Sequence, residues 1–148
     1  MEEQAQRRAD QQAGDKSPQT QRHDADHLGL ELAGEIARGG GSAAALAFDV
    51  CDREAARAAL ENALADGPIQ VLVNNAGIHD DAVFPGMRPE QWSSVIDVSL
   101  NGFFNVTHPL TMPMVRARWG RIINITSIAA ITGNRGQVNY SAAKAALH

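Results

Sequence analysis

The chain has 148 residues, enough for one domain around one buried core and too few for two. Thirteen Lys and Arg against seventeen Asp and Glu leave a net charge of −4, which argues against nucleic acid as a partner, and the single Cys51 excludes an intramolecular disulfide and a cysteine-based metal cluster. No apolar run approaches the ~18–20 residues of a membrane span, and no apolar leader follows Met1, so the sequence points to a soluble, cytoplasmic chain without a membrane partner.

Residues 1–27 contain no Val, Ile, Leu or aromatic side chain, so they are expected to be disordered, and the globular part is expected to span residues 28–148. Leu28, Leu32 and Ile36 recur every four residues, as on one helical face, and Gly39-Gly40-Gly41 stops that helix. The triple glycine follows a helix and opens a strand, the reverse of a phosphate-cradling loop. Ala43 to Val50 reads as a first strand ending in Asp49, after which Asp52 is placed to cap an Ala-rich helix reaching Ala65. Gly67-Pro68 breaks the chain before a second strand, Ile69 to Val73, which stops at the polar turn Asn74-Asn75-Ala76-Gly77. Pro89 opens the next helix, with Trp92, Val95 and Ile96 on one face, and the apolar stretch Leu100 to Val115 continues it. Pro109 and Pro113 each remove an intrahelical bond and predict a kink or break. Arg121 to Ser127 is a third strand, and a final helix runs from Gln137 to His148.

Short strands alternating with helices, with no hairpin turn between them, predict an α/β fold: a partial, Rossmann-like, doubly wound parallel sheet with three readable strands. Ligands of such sheets sit at the carboxyl ends of the strands, here marked by Asp49, Asn74-Asn75 and Ser127. Tyr140 and Lys144, four apart on a helix, share one face within a turn. A cation beside a phenol favours the phenolate, which suits a proton donor, and Ser127 at a strand end is placed to hydrogen-bond a substrate oxygen.

The three segments Asn74-Asn75-Ala76-Gly77, Gly120 to Ser127 and Gly136 to Ala145 together resemble the short-chain dehydrogenase/reductase family, closest to its 3-oxoacyl-[acyl-carrier-protein] reductase branch. The resemblance covers residues 28–148. It implies that Ser127 orients a carbonyl, that Tyr140 protonates its oxygen, and that Lys144 binds the nicotinamide ribose and lowers the tyrosine pKa. It also implies that Asp49 and Val50 meet the adenine of NADPH and that Asn75 approaches the cofactor through its backbone. Asn74 has two readings, a tie between strands and a cofactor contact. The family's fourth catalytic residue, an asparagine holding a relay water, falls on Ser99, with Asn101 two places late. The substrate implied is an acyl thioester, on acyl carrier protein or free, and the assembly a homo-oligomer.

The family's Thr-Gly-x-x-x-Gly-x-Gly turn is missing from this sequence, and four residues follow Lys144, so the chain reads as the middle of a longer enzyme. A rival reading is a catalytically silent fragment that associates through its long helix with itself or an intact paralogue. With the first two strands of a 3-2-1-4-5-6 order missing, the Ala43–Val50 strand is expected to move over onto Ile69–Val73, or else the chain is molten, aggregated or partner-dependent. His79-Asp80-Asp81 is not expected to hold a metal, because adjacent loop side chains rarely converge. Cys51 is expected to be a small buried residue rather than a reactive thiol.

Overall fold

The structure is a computed structural model that describes residues 18–148, and the chain divides into two compact units, residues 1–47 and 48–148. In the first unit, helix α1 runs from Pro18 to Arg38. Residues 18–27 of the segment expected to be disordered therefore belong to this helix, and 1–17 lie outside the described residues. The triple glycine ends α1 as expected: the Gly39 and Gly41 amides donate to the carbonyls of Glu35 and Ile36.

The expected strand at Ala43–Val50 does not form; residues 41–49 are neither helix nor strand. Four of the eight residues of Ala43–Val50 are alanine, poor at filling a pleated surface, and a strand needs a hydrogen-bonded neighbour that this segment lacks among the described residues. Nor does it move over onto the second strand. Among the described residues the sheet has two strands, not three.

The second unit comprises α2 (Arg53–Ala65), β1 (Val71–Asn74), a 3₁₀ turn (Phe84–Gly86), α3 (Pro89–Ile96), a π-helical turn (Asp97–Asn101), α4 (Gly102–Arg116), β2 (Arg121–Asn124), α5 (Ala129–Thr132) and α6 (Val138–Ala146). Asp52 caps α2 as read, its Oδ1 accepting from the amides of Glu54 and Ala55 at 3.1 and 3.0 Å. β1 and β2 pair in parallel, with Val71 beside Arg121 and Asn74 beside Asn124. Leu72 turns onto a core of Leu60, Leu110 and Met114, which joins α2 to α4. The other face, with Val71, Val73, Ile123 and Ile125, stays 42–50% exposed.

Pro109 and Pro113 do not break the long helix, which runs unbroken from Gly102 to Arg116. Each proline costs one backbone bond, but Leu110 and Met114, each directly after a proline, are buried in the core and hold the helix in place. The irregularity sits upstream instead, in the wide turn at 97–101.

Candidate active site

Parallel pairing brings the carboxyl ends of β1 and β2 to the same side, and the side chains read as functional fall into two groups. Beyond β2, the Ile125 carbonyl accepts from Lys144 Nζ at 2.8 Å. Lys144 comes from α6 and is only 4% exposed. Beyond β1, Gly77 lies against the same ammonium: a Cβ at this position would stand 3.1 Å from Nζ. A side chain at this position would press on the ammonium, which would have to give by a few tenths of an ångström, a closeness that the Asn-Asn-Ala-Gly pattern alone did not reveal.

Tyr140 is half-buried one turn before Lys144, and the ammonium lies 5.9 Å from the centroid of its ring. Ser127, three residues past β2, accepts from the Ala129 amide at 3.2 Å and so starts α5, which packs on α6. Ser127, Tyr140 and Lys144 thus belong to two packed helices and the strand end that Lys144 grips.

Val50, Asn75 and Ser99 gather in a second group, lining a cavity of about 140 Å³ with Val73, Phe103 and Leu147. Ser99 lies in the π-helical turn, is 2% exposed, and its Oγ has no hydrogen-bond partner among the described residues. Asn101 faces elsewhere: it is exposed and donates to Asp97 Oδ1 at 2.7 Å. Val50 is fixed from α4, where Asn105 Nδ2 donates to its carbonyl at 2.9 Å. Gly102 permits this approach, since a Cβ there would come within 2.8 Å of Val50 Cγ2. Asp49 is not in the cavity wall; its Oδ1 accepts from the Cys51 amide at 2.9 Å.

Asn74 takes the strand-tying role, donating to Thr107 Oγ1 on α4 and to Asn124 Oδ1 on β2, both at 3.0 Å. Cys51 is exposed rather than buried, because it lies in the turn before α2 and not inside a strand. Its thiol is nonetheless pushed up from its ordinary pKa, first by partial desolvation and then by the neighbouring carboxylate of Asp49. His79, Asp80 and Asp81 form no metal-binding cluster, and no other such group occurs among the described residues. No helix among them is long and apolar enough to cross a membrane.

Sequence reasoning missed Asn139 and Gln91. Asn139 precedes the tyrosine and is wholly buried; its Nδ2 donates to the carbonyls of Asp80 (3.0 Å) and Gln91 (2.8 Å), and its Oδ1 accepts from the Tyr140 amide (2.8 Å). The only available signal was an amide side chain in the first turn of a helix, a position that ordinarily faces water.

Residues 20–148 match the short chain dehydrogenase family model, and the chain belongs to that family. Over 99 residues it is 52% identical to an acetoacetyl-CoA reductase of Shinella zoogloeoides, covering 66% of this chain and 41% of that protein. Over 110 residues it is 47% identical to a 3-oxoacyl-[acyl-carrier-protein] reductase of Aggregatibacter actinomycetemcomitans, covering 73% and 46%. A crystal structure of a gluconate 5-dehydrogenase from Burkholderia cenocepacia in complex with NADP and tartrate superposes with a TM-score of 0.76 at 34% identity, over 79% of this chain and 46% of that one. The chain thus spans half or less of the length of these relatives.

Proposed function

We propose that Ser127, Tyr140 and Lys144 are the proton-delivering side of a ketone reduction that converts a 3-oxoacyl thioester, on coenzyme A or acyl carrier protein, to the 3-hydroxyacyl thioester. The observation that carries the reading is Lys144: a lysine 4% exposed, held to the Ile125 carbonyl at 2.8 Å, has two of its three N–H groups left for a ligand among the described residues and lies beside the only tyrosine of the chain. The relatives named as acetoacetyl-CoA and 3-oxoacyl reductases supply the substrate class.

The residues present fit a dinucleotide at its two ends. Lys144 and Tyr140 would hold the nicotinamide ribose, Asn75 would approach through its backbone, and Asp49 and Val50 would meet the adenine; NADPH, when bound, supplies the hydride. Ser127 donates to the substrate oxygen and Tyr140 passes it a proton as negative charge builds there. The ammonium of Lys144 stabilises the charge left on the tyrosine oxygen. Ser99, buried with an unpartnered hydroxyl, is the residue suited to hold a water behind this pair.

The test is NADPH oxidation by the purified chain with an acetoacetyl thioester. Tyr140→Phe is expected to lower any turnover on the order of 10²–10⁴-fold while leaving the circular dichroism spectrum unchanged. An undiminished rate removes tyrosine from the mechanism. The second reading, a silent fragment that associates through α3 and α4, is favoured by one fact: the sequence has no Thr-Gly-x-x-x-Gly-x-Gly turn to take a pyrophosphate. Absence of turnover together with failure to bind NADPH would select it.

A further inference from the structure

Three contacts stitch the loop at 80–82 to the segment that opens α6. Asn139 Nδ2 donates to the Asp80 carbonyl at 3.0 Å, Gln137 Nε2 to Asp81 Oδ2 at 2.8 Å, and the Ala82 amide to the Gly136 carbonyl at 2.9 Å. A fourth and fifth extend the seam to α3: Gln91 Nε2 donates to Asp80 Oδ1 at 2.5 Å, and the second N–H of the Asn139 amide goes to the Gln91 carbonyl. Gln91 is itself anchored, its Oε1 accepting from the Arg88 amide at 3.1 Å. Asn139 is at the centre. Both its donors and its acceptor are engaged, it is 0% exposed, and its Oδ1 holds the amide of the very next residue, Tyr140.

We propose that Asn139 is a positioning residue, and that through it the loop carrying Asp80 and Asp81 sets where the Tyr140 ring stands relative to Lys144. A buried amide with three good bonds has no low-energy alternative rotamer, because turning it would leave a donor unpaired in a dry site. A displacement of the 80–82 loop, by substitution or by a molecule resting on it, must therefore be followed by the first turn of α6. The acidic pair of His79-Asp80-Asp81 acquires a use: the Asp81 carboxylate holds Gln137 at the start of α6, while Asp80 holds Gln91 of α3 with its carboxylate and Asn139 of α6 with its carbonyl. The functional weight of this coupling rests on the role proposed for Tyr140, but the coupling itself does not.

The chain has one tyrosine, so incorporating ring carbon-labelled tyrosine gives a magnetic resonance spectrum in which every ring signal belongs to Tyr140. The experiment compares the full chain with Asn139→Asp, which keeps the acceptor and removes both donors, and with Gln91→Glu, which keeps the bond from Arg88 and sets a like charge against Asp80. Both are expected to displace the Tyr140 signals, and the double variant is expected to displace them by less than the sum. Adding Asp80→Asn to Gln91→Glu returns an amide donor to that contact and should restore the original position. Leu60→Ala, which opens a cavity in the core between α2 and α4, serves as the control: it lowers the unfolding midpoint and leaves the tyrosine signals in place. Signals unmoved by Gln91→Glu, or moved equally by Leu60→Ala, would overturn the proposal. Because the readout needs no turnover, it stands or falls separately from the assignment of ketone reduction.

Discussion

Cys51 shows how one residue's chemistry departs from what its exposure suggests. The thiol is accessible, yet partial desolvation and then the Asp49 carboxylate hold it protonated at pH values where an ordinary cysteine, with a pKa near ~8.5, has begun to ionise. A raised pKa means less thiolate at a given pH, so alkylation by iodoacetamide should be slow at neutral pH and should rise only at a pH above that of a free thiol. Asp49→Asn is expected to move the midpoint of that profile down; an unmoved midpoint would exclude the carboxylate as a cause. Gly77 makes a second prediction. Gly77→Ala sets a methyl group 3.1 Å from an ammonium that is buried and held to Ile125, and the strain should cost about 1–3 kcal/mol of stability in urea unfolding. Local spacing sufficed to put Tyr140 and Lys144 on one helix face and Ser127 just past a strand, while the roles expected of them came from the three family-like segments taken together. Asn139 and Gln91 were not legible, since the carbonyls that Asn139 engages lie 48 and 59 residues away and the Asp80 carboxylate that Gln91 engages lies 11 away.

Helices were more legible than strands here, for a physical reason. The cap at Asp52, the proline at the start of α3 and the glycines after α1 each act on neighbours within four residues, and all three helix ends lie where the sequence puts them. Asp52→Ala should therefore destabilise the chain by about 1 kcal/mol, with the loss read from the denaturation midpoint at an unchanged slope. A strand is defined by its partner. Ile69–Val73 and Arg121–Ser127 found each other, with β1 at Val71–Asn74 and β2 at Arg121–Asn124, whereas Ala43–Val50 found no partner and formed no strand. The two prolines of α4 illustrate the same dependence on context: local propensity predicted a break, and burial of Leu110 and Met114 overrode it.

At the scale of the whole molecule, the two-stranded sheet has one face on the core and one open, with Val71, Val73, Ile123 and Ile125 between 42% and 50% exposed. An apolar face of this kind binds hydrophobic dyes, so the folded chain should enhance anilinonaphthalene sulfonate fluorescence, and Val73→Lys should reduce it without lowering helicity. Residues read as adenine and ribose contacts are present, but no glycine-rich helix start is available for the two phosphates between them. NADPH is therefore expected to bind the 148-residue chain weakly, and saturation of its fluorescence at micromolar protein would contradict this.

The π-helical turn at 97–101 inserts roughly one residue into an otherwise continuous helical rod, which rotates everything after it by about 100° relative to everything before. The two halves are thereby phased for different neighbours: α3 packs on α6, and α4 packs on α2 and β1. Deleting Leu100 would let the rod close into a regular α-helix and turn these faces out of step. Gly102 would then swing away from Val50, and Asn105 from the Val50 carbonyl that it holds. The widened turn acts as a gear offset between the side of the molecule that meets α6 and the side that faces the cavity, and one residue is its whole adjustment.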